Sequence, residues 1–130
     1  EKAKYDLSVM MAAVTKIVNV TIESCKMNDL AKAKEVEPLE EVIDKLKKQL
    51  KNRHLKRIEE GRCSVDQGFL YLDIINALER MADHCASLAV SMIELESGEY
   101  NVHEYTRELK ESDKEFIENL DSYLEKYSLN

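Results

Sequence analysis

Apolar residues recur at steps of three and four along almost the whole chain, the period of helices that bury one face. Four blocks carry the pattern. The first runs from about Lys4 to Met27, with Met10, Met11, Val14, Ile17, Val18, Thr21 and Cys25 on its stripe. Asn28 and Asp29 close it and can cap the next helix. The second runs from about Leu30 to Glu60 and carries Val36, Leu39, Ile43, Leu46 and Leu50 on one side. Pro38 lies in its first third and either kinks the helix or marks its true beginning. Gly61, Arg62, Cys63 and Ser64 form the clearest turn: Gly61 suits a left-handed C-cap, and Ser64 with Gln67 makes a capping box. The third block, from about Val65 to Glu96, has Tyr71, Ile74, Leu78, Met81, Cys85, Leu88, Met92 and Leu95 as its stripe, and Gly98 ends it. The last, from about Val102 to Tyr127, steps through Val102, Tyr105, Leu109, Ser112, Phe116, Leu120, Tyr123 and Tyr127, with Asn101 and Glu104 as a second capping box.

Each block has one apolar stripe and one charged face, so none can bury itself alone. Ordering the backbone costs roughly 1–2 kcal/mol per residue, which a single helix of this length does not recover in water. Long helices with short connections become antiparallel neighbours, which predicts an all-α, antiparallel up-down-up-down four-helix bundle. A length of 130 residues suits one domain, residues 1–130. Three glycines, one proline and no tryptophan leave little punctuation for a fold rich in strands and turns. The methionines at 10, 11, 27, 81 and 92 are expected to fill gaps between helices.

Charge narrows the function. Nineteen Lys and Arg against twenty-six Asp and Glu give −7, which argues against gripping a nucleic-acid backbone. The basic run from Lys45 to Arg57 is read as a solvated helix face. Three cysteines without a C-x-x-C pair indicate neither a disulfide framework nor a zinc ribbon, and they fit a reducing compartment. Cys25 and Cys85, on apolar stripes, are expected to be buried and inert, leaving Cys63 in the turn as the accessible thiol. His54 reads as a satisfied core histidine and His103 as a residue at the start of a helix. No apolar run approaches a membrane span, and nothing resembles a signal peptide. The start at Glu1, in mid-pattern and without methionine, suggests a piece excised from a larger protein.

The informative chemistry is two matching acidic pairs. Glu40 and Asp44 are four apart on the second helix, and Glu79 and Asp83 are four apart on the third. Like charges at that spacing repel by a few tenths of a kcal/mol without a counter-ion. Folding the hairpin about residues 61–64 sets Glu40 level with Asp83 and Asp44 level with Glu79, on or near the bundle surface. Converging carboxylates suit Mg²⁺, Ca²⁺, Mn²⁺ or iron, with water completing the shell. Buried di-iron bundles use Glu-x-x-His pairs, which the bundle centre lacks here. The alternative is a wet surface on which Lys47, Lys48 and Arg80 neutralise the acids. His84 points away from the apolar stripe, and Arg80 suits either an ion pair or an anion. No glycine-rich phosphate loop is present. Metal-dependent hydrolysis would need a cleft and a base that the spacing does not supply, so an enzyme is not expected.

The run from Tyr71 to Ala89 resembles the signature helix of the PhoU phosphate-uptake regulator family, with Leu78, Glu79, Arg80, Asp83 and His84 matching its Leu-Glu-Arg-x-x-Asp-His sequence. Ala33, Val36, Glu40, Asp44 and Leu46 resemble the acidic motif of the family's preceding helix. The stretches from Met27 to Leu55 and at Gly61-Arg62-Cys63 are most similar to the PhoU-like domain fused behind bacterial sodium/phosphate cotransporter-like membrane proteins. That resemblance implies a non-catalytic regulatory domain at the cytoplasmic face of the inner membrane, itself soluble, whose partner is the membrane-embedded cotransporter portion of the same polypeptide. It also implies metal (iron, manganese, zinc, nickel or magnesium) on Glu40, Asp44, Glu79 and Asp83, with Arg80 and His84 nearby. Full-length members carry two three-helix units where this chain has room for one, so a homodimer is the expected way to restore a paired surface. Asn76 stands where the family often has arginine. The competing expectation is a structural oligomerisation or interaction module without metal.

Overall fold

A computed structural model describes residues 1–97 and 114–129, and these are helical apart from short connections. The first helix, α1, spans Lys2–Met27 and ends on Asn28 at φ 48°, ψ 43°. Asparagine reaches this left-handed cap at low cost, and the amides of Asn28 and Asp29 both return to the Ser24 carbonyl. The Asp29 carboxylate then accepts from the Lys32 amide at 3.1 Å and caps the single turn α2, Leu30–Ala33. Helix α3 comes next as Val36–Glu59. Pro38 is its third residue, so its missing N–H falls among the first-turn amides that have no intrahelical acceptor. Pro38 therefore marks the start of a helix and does not kink one.

The turn after α3 is built as its residues require. Gly61 sits at φ 69°, and the Arg62 amide reaches back to the Arg57 carbonyl at 2.9 Å, a Schellman closure. Ser64 Oγ accepts from the Gln67 amide at 3.3 Å as α4, Val65–Ser97, begins. The described part of the last block is α5, Lys114–Lys126. Gly98, the Asn101–Glu104 capping box, Val102, His103, Tyr105, Leu109 and Ser112 lie outside the described residues.

Helices α1, α3 and α4 contact one another pairwise, α2 lies against α1 and α4, and α5 packs chiefly on α3. Side-chain contacts give the directions. Asp6 near the start of α1 meets Arg53 and Arg57 near the end of α3, so these two run antiparallel. Tyr71 Oη donates to the Ala3 carbonyl at 3.1 Å, and Cys25 Sγ lies 3.2 Å from Met92 Sδ, so α1 and α4 run parallel. Met10, Ile17, Leu39, Ile43, Leu50 and Ile75 are the largest apolar side chains sealed in the centre, each worth about 1.5–3 kcal/mol over exposure. Phe116 and Tyr127 anchor α5. Beside them, burial and the Glu35 carboxylate push the Tyr123 hydroxyl up to about 12.

The core face of α4 differs from the expected stripe. Ile75, Ala82, Ala86, Ala89, Val90 and Ile93 are buried with Cys85, whereas Ile74, Met81, Leu88 and Leu95 are exposed. The alanines let α4 approach its neighbours closely, and the large residues at seven-residue steps fall on its outer flank. The same effect appears on α1, where Met10 is buried but Met11, Ile22 and Cys25 are exposed. Of the five methionines only Met10 fills the core completely; Met11, Met27 and Met81 face solvent. With apolar residues on both its inner and outer sides, α1 is long and apolar enough to cross a membrane by length and composition, contrary to the sequence expectation. In the fold, its inner side belongs to the bundle core.

Candidate functional site

The four acids read from the sequence lie along α3 and α4. Lys47 Nζ on α3 meets Glu79 Oε2 on α4 at 3.1 Å. Within α3, Lys48 Nζ meets Asp44 Oδ2 one turn back at 3.2 Å. Glu40 is half-buried and Asp83 exposed. The arrangement is two lysine–carboxylate pairs, and among the described residues no three His, Cys, Asp or Glu gather into a group that could hold a metal ion. Any cation at this level competes with two ammonium groups for its ligands. Arg80 and His84 are exposed on the same stretch of α4.

A second charged cluster is not visible in the spacing of the acids. Asp6 is 1% exposed, yet it occupies the row of α1 that also carries Met10, Ala13 and Ile17. Its two oxygens are taken by different arginines: Arg53 Nη1 at 3.0 Å and Arg57 Nη2 at 2.6 Å. Arg57 continues the cluster inward, with its guanidinium carbon 6.0 Å from the centre of the Tyr71 ring and Nη1 3.5 Å from His54 Nδ1. His54 stacks on Tyr71 with ring centres 4.2 Å apart and 24° between planes. Burial, then the Arg57 charge, lower the His54 pKa, which favours the neutral ring. Its Nε2 has no hydrogen-bond partner among the described residues, so His54 is a core histidine, as expected, but only partly satisfied. Gly68 makes room for this packing: a Cβ there would stand 2.6 Å from Ile58 Cδ1 and 3.5 Å from His54 Nε2.

The sequence held one signal for this cluster. An acid on the buried row of a helix requires a cationic partner on another helix. Arg53 and Arg57, four apart and in line with the core residue Leu50, offer it from the antiparallel neighbour.

Comparison with known proteins places this architecture. The PhoU domain family matches residues 7–92, which include both acidic pairs, both arginines and the turn between α3 and α4. The chain belongs to the PhoU domain family. It is 29% identical over 111 residues to the phosphate-specific transport system accessory protein PhoU homolog 1 of Thermotoga maritima, a match covering 82% of this chain and 47% of that protein. The PhoU-family chain therefore spans about half the length of this curated relative. No solved structure shows a significant match.

Proposed function

We propose that this PhoU-family chain is a non-catalytic regulatory unit of phosphate transport, acting through helix–helix contact with the membrane-embedded part of a sodium/phosphate cotransporter-like protein at the cytoplasmic face. Membership of the family carries this reading, since the relative in Thermotoga maritima is named as an accessory protein of phosphate-specific transport. The outer flank of α4 supports it. Ile74, Met81, Leu88 and Leu95 form an exposed apolar row at the seven-residue spacing that one helix offers another. Phosphate uptake by cells carrying the full-length protein tests the proposal. Changing Met81→Glu with Leu88→Glu abolishes the response of uptake to external phosphate while the thermal unfolding of the chain stays unchanged. An unaltered response in a folded double variant rejects it.

The finer part of the proposal concerns metal on Glu40, Asp44, Glu79 and Asp83. Binding requires Lys47 and Lys48 to release two of the carboxylates. Elemental mass spectrometry of protein purified without chelator reads this directly, with Glu79→Gln plus Asp83→Asn as the control. A near-stoichiometric ion lost in that variant supports the site. Protein that is empty and refuses added Mn²⁺ or Fe²⁺ leaves the second reading, an interaction module in which the α4 row joins copies of the chain. A mass that rises with concentration then identifies that module.

A further inference from the structure

The end of the bundle that holds Asp6 also contains a cavity of about 480 Å³, bounded by the first turn of α1, the last turns of α3 and Arg62 of the turn beyond it. Five cations, Lys2, Arg53, Lys56, Arg57 and Arg62, line it against the carboxylates of Glu1 and Asp6. In a chain of net charge −7 this is a local reversal of sign. We propose that this cavity is a binding site for a phosphate-type oxyanion, free or carried on a small organic molecule.

Asp6 does not cancel the site but organises it. Its single charge is shared by two guanidiniums, which fixes one Nη of each and holds both planar forks at the cavity wall. Arg57, only 12% exposed in its side chain, is further fixed beside the Tyr71 ring, so a ligand meets it without ordering it first. Lys2 and Lys56 make no ion pair with a described residue and stand at the rim as mobile charges; Arg62 is paired with Glu60. The positive end of α1 and the negative end of α3 meet here and largely offset one another, so the side chains set the potential.

These features select the ligand. With Glu60 counted on Arg62, five cations stand against three carboxylates, a surplus of two that matches a doubly charged anion better than a single carboxylate. The volume admits more than one phosphate group. Tyr5, half exposed, adds an aromatic side chain to the wall beside the cations. The site rests on this chain's own charges and cavity, so its failure would leave the transport reading intact.

The test is an amide NMR titration of the intact chain with inorganic phosphate and with phenyl phosphate, at fixed ionic strength and with acetate as a singly charged control. Saturable shifts are expected at residues 2–6 and 53–62, with Kd near or below about 1 mM, and acetate at least tenfold weaker. The exposed rim variant Lys2→Glu with Lys56→Glu should weaken phosphate binding about tenfold or more while leaving thermal unfolding unchanged. Tighter binding of phenyl phosphate assigns the site to an organic phosphate; equal binding assigns it to the free ion. Shifts that are scattered, that fail to saturate, or that persist in the rim variant overturn the proposal.

Discussion

Asp6 and Glu79 are both carboxylates that meet a cation from a neighbouring helix, but they sit in different surroundings. Asp6 is sealed at the end of the bundle and holds two guanidiniums. Glu79, with 15% of its side chain exposed, lies on the flank of α4 and meets one lysine ammonium. A lysine that still reaches water can release a part-buried carboxylate at lower cost, whereas a fully buried acid that loses its partner remains an uncompensated charge. The first arrangement is therefore the more firmly fixed of the two, and the second is the easier to open.

Removing Asp6 probes that difference with the largest effect. Asp6→Ala strands Arg57 in a mostly buried position and should cost about 3 kcal/mol or more in urea unfolding. A loss below about 1 kcal/mol would place Asp6 in the same class as Glu79. Acidification has the next largest effect. The folded pKa of His54 is lowered from its ordinary 6.5, so the unfolded chain takes up the proton first as the solution is acidified. The stabilising effect of the neutral ring is fully present above about pH 6.5 and is lost as pH falls toward the folded value, with a slope of at most about 1.4 kcal/mol per unit. His54→Phe should flatten thermal stability across this window; an unchanged slope would show that the histidine is not the titrating group. The smallest effects belong to the flank. Glu79→Gln should cost about 1 kcal/mol or less and Asp44→Asn about 0.5 kcal/mol or less, both shrinking in high salt.

How much of the molecule is legible in its sequence depends on the range of the interaction. Caps and turns are local, and Asn28, Asp29, Gly61 and Ser64 do what their chemistry requires. Helix period is local too, and the described elements fall close to the expected blocks. The face of α4 departs from the expected one because large residues such as Met81 and Leu88 dominate a hydrophobic pattern, while the close helix approach is made by Ala82, Ala86 and Ala89. Pairing across helices is not local. Lys47 is a candidate neutraliser of the acids by sequence proximity, and the structure seats it on Glu79. The partnership of Asp6 with Arg53 and Arg57 spans 47 and 51 residues and depends on the assembled bundle.

Paired double-mutant cycles in urea test the difference between the two regions most directly, one on Asp6 and Arg57 and one on Glu79 and Lys47, each with alanine. The coupling across Asp6–Arg57 should be about 2 kcal/mol or more, and that across Glu79–Lys47 about 1 kcal/mol or less. Equal couplings, or a larger one on the flank, would contradict the assignment of the fixed charged centre to the Asp6 end of the bundle.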